Sequence, residues 1–150
     1  MVLKTTFTNK LGGILMGLTY RAAVLLGNNG YGELDLWVTH ATSLGERQKG
    51  LLGDSVLPPE RGLLLTPCSQ IHTVGMAFPI DVIYLSSEGY ILDMDTPVEP
   101  GKWGLPRDGC EHCLELSAGR ARRLGLLPGM RLGFSPIRTP MPLKRHRAIK

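Results

Sequence analysis

The run Ile80-Asp81-Val82-Ile83-Tyr84-Leu85 is apolar on both alternating faces apart from one carboxylate. Successive side chains of a strand point to opposite sides. Such a run therefore fits a strand covered on both faces. It demands a sheet with apolar packing on each side, within a chain of 150 residues, long enough for one domain with a real core. With 19 Gly and 11 Pro, that domain is built of short elements and many turns, not a helical bundle.

The flanking sequence supplies the other elements. Leu34–His40 alternates Leu34, Leu36 and Val38 with Asp35, Trp37 and Thr39, a strand with one wet face. Ser43 and Glu46 form a capping box that opens a helix to about Leu52. Its apolar stripe is Leu44, Gln48, Leu51 and Leu52; Glu46, Arg47 and Lys49 face water, and Gly53 ends it. Gly62–Leu65 reads as a short buried strand. Ser86–Gly89 reads as a hairpin turn joining Ile80–Leu85 to Tyr90–Met94. Residues 96–109 form a Pro- and Gly-rich loop around Trp103. Leu114–Leu116 reads as a strand, Ala118–Leu124 as a helix stopped by Gly125, and Met130–Phe134 as a closing strand. The expected fold is α+β, mostly antiparallel β, a small barrel-like domain with two short helices. Residues 1–32 are expected to be a flexible arm or a strand added to the domain's edge, 33–135 the domain, and 136–150 a disordered basic tail.

Charge divides along the same boundary. Residues 136–150 carry five basic groups and no acid, while the rest carries 12 basic and 13 acidic groups. The net charge of +4 is thus a property of the tail. A near-neutral domain argues against a specific nucleic-acid face; the tail is left for weak contact with anionic surfaces. The apolar run Leu11–Tyr20 is too short to span a bilayer. It has the length of a signal-peptide core but no Ala-x-Ala cleavage site. Three cysteines leave one unpaired, which fits a reducing cytoplasm; export, with residues 1–26 as a signal, is the alternative.

Chemistry-bearing residues concentrate between Cys68 and Tyr84. Two readings stand for Asp81: a structural carboxylate taking backbone N–H bonds from the preceding turn, or a general base or metal ligand. If Ile71–Met76 is extended, His72, Val74 and Met76 share one face, and His72 either packs or points into a pocket. Phe78–Pro79 holds Phe78 outside the helical region. Asp93 and Asp95 lack the Gly and distal Glu of a calcium loop and read as a solvated strand face. Glu115 either faces solvent or shares a cavity with Asp81; His72, Asp81 and Glu115 are the candidate acid–base set. Cys110-Glu111-His112-Cys113 invites a zinc or thiol reading, with Cys68 and His72 as the further ligands. In a strand, however, Cys110 and Cys113 point to opposite faces.

The ordered motifs resemble one family. Ile71-His72-Thr73, Gly75-Met76 and Phe78-Pro79-Ile80-Asp81-Val82 are similar to the centre of the uncharacterised prokaryotic family known as domain of unknown function 192. Glu46-Arg47 with Lys49-Gly50-Leu51-Leu52-Gly53 resembles its opening block, and Arg61–Leu65 its Gly-Met-Leu-Phe block. Leu114–Gly119, Gly125 and Pro128-Gly129 resemble its closing blocks. The resemblance spans about residues 35–134. Many relatives carry an aromatic-Met-Lys-Asn-Thr run where His72–Met76 stands here, and a basic residue at the position of Asp54. The Lys-Asn pair is missing from this chain, so no role of those groups transfers. The resemblance implies a small, mostly β domain and no established chemistry.

Three functional readings follow. The leading one is a non-catalytic domain that binds a small ligand or a partner through His72, Met76, Asp81 and Trp103. The second is a hydrolase-like enzyme using His72, Asp81 and Glu115. The third is a metal or thiol site built from Cys68, His72, Cys110 and Cys113. No cofactor is expected.

Overall fold

Strand β4 (Ile80–Leu85) lies where its sequence requires, and all six of its residues are buried. The computed structural model describes residues 19–137. The other strands are β1 (Thr19–Leu25), β2 (Tyr31–Ala41), β3 (Arg61–Leu65), β5 (Ile91–Val98), β6 (His112–Ser117) and β7 (Arg131–Ile137). Helix α1 is Leu44–Lys49 and α2 is Arg120–Arg123. The strands form one seven-stranded sheet in the order β5-β4-β6-β3-β2-β1-β7. The sheet is mixed: β2 and β3 run parallel, and every other neighbouring pair is antiparallel.

Apolar residues pack on both faces. One cluster holds Leu36, Val38, Leu64, Ile83, Leu114, Leu116, Leu132 and Phe134, with Ala121 of α2. The other holds Leu63, Leu65, Ile80, Val82, Tyr84 and Cys113, with Leu51 beyond α1 and Ile71 and Met76 from the β3–β4 connection. The period-two alternation sends Ile83 to the first cluster and Val82 and Tyr84 to the second.

As a strand list the sheet is open, so the barrel-like expectation narrows to a mixed seven-stranded sheet with two short helices. Its end strands do meet at one place. Tyr90 and Arg131 form an isolated antiparallel bridge. The N–H groups of Ile91, Gly129 and Leu132 donate to Met130, Ile91 and Gly89. Gly89 has φ +92°, and a Cβ there would stand 2.3 Å from the Leu132 carbonyl oxygen.

Several local expectations change. Residues 19–25, assigned to an arm or an added edge strand, form an interior strand paired with β2 on one side and β7 on the other. Strand β7 reaches Ile137, and residues 1–18 and 138–150, with most of the signal-like run and most of the basic tail, lie outside the described residues. The Ser43–Glu46 capping box is present. The helix stops at Lys49 rather than near Leu52, because Gly50 takes the cap position at φ +47°. Residues 71–76 are not a strand: only His72 makes a bridge, to Trp103, and Thr73–Met76 is closed by a turn. The peptide bond at Phe78–Pro79 is trans; the cis bonds are Thr66–Pro67 and Thr96–Pro97.

The loop after β5 is firmly anchored. Thr73 is fully buried; its hydroxyl donates to Glu99 O and accepts from Lys102 N. Gly104 N donates to Ile71 O and Arg107 N to Ser69 O. Asp93 is exposed and Asp95 half-buried, and the face they form is not bare: both accept from Arg107, whose Nη2 reaches both Asp95 oxygens and whose guanidinium lies over the Tyr84 ring. This holds loop 99–107 alongside 69–73, at the edge of the candidate site.

Candidate functional site

The β3–β4 connection leaves a space between α1, the turn after it and the β-sheet. The result is a cavity of about 310 Å³. Its walls are mainly apolar, from Leu44, Leu51, Leu52, Leu65, Ile71 and Met76. Polar groups enter from three directions: Arg47 and Lys49 come from the α1 side, and Cys68, Gln70 and His72 from the connection. Glu115 reaches it from β6.

Glu115 is the most unusual group there. It is 4% exposed, and its Oε2 has no hydrogen-bond partner. Burial, with a smaller contribution from the neighbouring Cys68, pushes its carboxyl up to about 8. At neutral pH it is therefore mostly protonated, both a donor and an acceptor. Arg47 carries a matching feature: its Nε is buried without a partner, while Nη1 donates to Pro67 O. The sequence assigned Arg47 to the wet face of the helix, but it lines the cavity and its Nε is buried.

His72 and Met76 line the cavity. Trp103 does not. It stands 70% exposed beside it and stacks on His72 with ring centroids 4.8 Å apart. His72 Nδ1 accepts from Val74 N, which fixes the imidazole against the indole. Asp81 is elsewhere. The register sets Val82 opposite Glu115 and Asp81 opposite Leu116, so Asp81 projects from the other face of the sheet. There its Oδ2 accepts from Ala121 N at 3.0 Å. The N-cap of α2 is Gly119, which has no side chain to cap with, and Asp81 supplies an acceptor from a different strand. The structural reading of Asp81 is the one the geometry supports, with α2 replacing the preceding turn as donor. The acid–base set of His72, Asp81 and Glu115 is thus split across the sheet, and hydrogen-bond reach is lost.

The cysteines converge more than sequence spacing indicated. Cys110 precedes β6 and is not bound by strand alternation, so it shares the face of Cys113. Cys68 N donates to Glu111 O. Cys110 Sγ and Cys113 Sγ lie 3.3 and 3.5 Å from Cys68 O. The neighbouring Cys113 thiol lowers Cys68 and Cys110, while those two thiols and burial push Cys113 itself far up. All three are free. His72 has no part in this cluster, and among the described residues no group of three or more His, Cys, Asp or Glu has the geometry to hold a metal ion.

A second polar cluster escaped the sequence. Thr66 Oγ1 bridges His40 Nε2 at 2.9 Å and His112 Nδ1 at 2.6 Å, at one end of the sheet. Burial, then the proximity of His112, pushes His40 down to about 4, and burial lowers His112. Residues 40, 66 and 112 are brought together only by the β2–β3–β6 pairing. No local spacing signals that contact.

Comparison with known proteins agrees on the fold and adds no activity. One solved structure is that of a candidate transcription regulator from Sinorhizobium meliloti 1021. It is 22% identical, covers 81% of this chain and 98% of its own, and has a TM-score of 0.68. Another, of a protein of unknown function from Novosphingobium aromaticivorans, is 24% identical, covers 80% and 89%, and has a TM-score of 0.64. No curated protein matches the chain. The model of domain of unknown function 192, described as "Uncharacterized ACR", matches residues 26–134. That match takes in β2 through most of β7, both helices and every residue lining the cavity, and the chain belongs to this family of unknown function.

Proposed function

We propose that this domain is a non-catalytic binding scaffold, a curled and barrel-like sheet whose cavity takes one small organic acid. The observation that carries the reading is the pair of unpartnered buried groups, Glu115 Oε2 and Arg47 Nε, in a cavity with apolar walls. An unsatisfied buried polar atom costs about 1–3 kcal/mol, and a ligand that satisfies it recovers part of that cost. Arg47 and Lys49 favour a carboxylate near α1, the leucines favour an aliphatic body, and protonated Glu115 favours a hydroxyl or carbonyl deeper in. A volume of about 310 Å³ lies at the small end of ligand sites and matches a short-chain acid. His72 and Trp103 form one margin, and Met76 adapts the wall to ligand shape.

Native mass spectrometry of the full chain, purified without chelator, tests the reading, together with thermal shifts against a series of short hydroxy- and keto-acids. The expected result is an organic adduct or a stabilising acid, weakened at least tenfold by Arg47→Ala and by Glu115→Leu. A bare mass and no shift with any acid would overturn it. Asp81, on the opposite face, is excluded from the ligand set. Three free thiols support a reducing compartment, the cytoplasm. Among the described residues no helix is long and apolar enough to cross a membrane. The regulatory role named for the Sinorhizobium meliloti protein gains no support here from the helices, which span only six and four residues.

A further inference from the structure

Three thiols gathered in one apolar cluster, two of them within 3.5 Å of the Cys68 carbonyl oxygen, are not needed to hold a small acid. Cys68 is partly exposed and lines the cavity; Cys113 is fully buried behind it; Cys110 flanks Cys113 and is absent from the lining. Arg47, on the same cavity wall, places a positive charge near the Cys68 sulfur. An electrophile entering the cavity therefore meets Cys68 first. The sulfur behind it is that of Cys113, fully buried in the apolar cluster against which Cys68 packs, with its Sγ 3.5 Å from the Cys68 carbonyl oxygen.

We propose that Cys68 is a thiol oxidation site for hydroperoxides, with Cys113 as its resolving partner. The Cys68 sulfur attacks one peroxide oxygen. An S–O bond forms, the O–O bond breaks, and the peroxide leaves as an alcohol, or as water from hydrogen peroxide, carrying the proton of the Cys68 thiol. The sulfur is oxidised by two electrons and the peroxide reduced by two. Cys113 then attacks the resulting sulfenic acid. An S–S bond forms, the S–O bond breaks, and water departs with the Cys113 proton. A dithiol reverses the bond by thiol–disulfide exchange. The product ties the β3–β4 connection to β6 beside the cavity. The inference rests on the thiol cluster and on access through the cavity, and holds whether or not the cavity carries an acid.

The test uses the full-length protein with one equivalent of hydrogen peroxide, followed by peptide mapping. Trypsin separates Cys68 from the other two, and cleavage after Glu111 separates Cys110 from Cys113. The expected product is a Cys68–Cys113 linked peptide, short of two hydrogen masses and restored by dithiothreitol. Cys110→Ser is expected to keep the link. Cys113→Ser is expected to stop at a sulfenic acid that dimedone traps on Cys68. Unmodified thiols, a link that omits Cys68, or a Cys68–Cys110 link in the wild-type protein would each overturn the proposal. The wild-type map decides the matter even where a variant fails to fold.

Discussion

At the scale of the residue, two buried carboxylates differ because their partners differ. Each has one oxygen with no partner, but burial holds Glu115 mostly protonated, whereas the other oxygen of Asp81 accepts from the backbone of α2. Raising Glu115 from an ordinary value of 4.5 to about 8 has a definite sign for stability. The folded state holds a proton that the unfolded chain releases, so this contribution is complete below about pH 4.5 and is lost as pH rises through about 8. Glu115→Gln is expected to flatten that alkaline loss, leaving the variant on the order of a few kcal/mol more stable than wild type at pH 9. Urea unfolding at pH 5, 7 and 9 measures it, and parallel curves for the two proteins would refute the protonated carboxyl. His40 has the opposite sign: lowered from 6.5 to about 4, it costs stability as pH falls through that interval. At Asp81, alanine removes the acceptor of the Ala121 N–H and is expected to cost about 1–3 kcal/mol, with asparagine costing less. Equal urea midpoints for wild type and Asp81→Ala would show that α2 does not depend on this cap. His72, Met76, Glu115 and Cys68 were legible as candidates from residue type and from their place beside an apolar run. That Glu115 and Asp81 part company was not, because it depends on the β4–β6 register, which neither strand specifies alone.

Elements with local signals were legible, and those held by distant partners were not. The capping box of α1, the even apolarity of β4 and the 86–89 turn all reside in a few consecutive residues. The turn between β4 and β5 also carries a non-local burden. Gly89 at φ +92° brings its backbone against β7, where the Leu132 oxygen leaves no room for a Cβ. Gly89→Ala combines a left-handed backbone with a clash against main chain, and either adds strain of order 1–3 kcal/mol. The expected outcome is a thermal midpoint lowered by several degrees, with faster amide exchange at Ile91, Gly129 and Leu132, whose bonds join the two end strands. A midpoint shift with unchanged exchange at those amides would place the strain in the turn rather than in the junction. Loop 96–109 is instructive for the same reason. Its Pro and Gly content announced irregular chain. What fixes it are the buried Thr73 hydroxyl and Arg107 on Asp93 and Asp95, contacts 12 to 29 residues apart in sequence.

For the whole molecule, the decisive element is the one that sequence least announced. Thr19–Leu25 follows a Gly-rich apolar run and carries Arg21 within it, so its alternation is weak and it read as an arm. In the sheet it is the sole strand between β2 and β7. Tyr20 and Ala22 pack with Leu36, Val38, Leu132 and Phe134 on the main core face. The Arg21 guanidinium turns outward over the Trp37 ring, which is how a charged residue occupies an interior strand. Removing β1 would strip β2 of its antiparallel partner and leave β7 attached only through the contacts at Gly89 and Ile91. Re-exposing side chains such as Leu36, Val38, Leu132 and Phe134 costs about 1.5–3 kcal/mol each when complete. The total rivals the ~5–15 kcal/mol by which a domain of this kind is stable. A chain beginning at residue 33, the boundary that composition suggests, is therefore expected to lose cooperative folding, whereas one beginning at residue 19 is expected to keep it. Circular dichroism through a urea titration separates the two. A sigmoidal transition for the shorter chain would mean that the core on the cavity side of the sheet, around Ile80, Val82 and Tyr84, suffices to hold the fold.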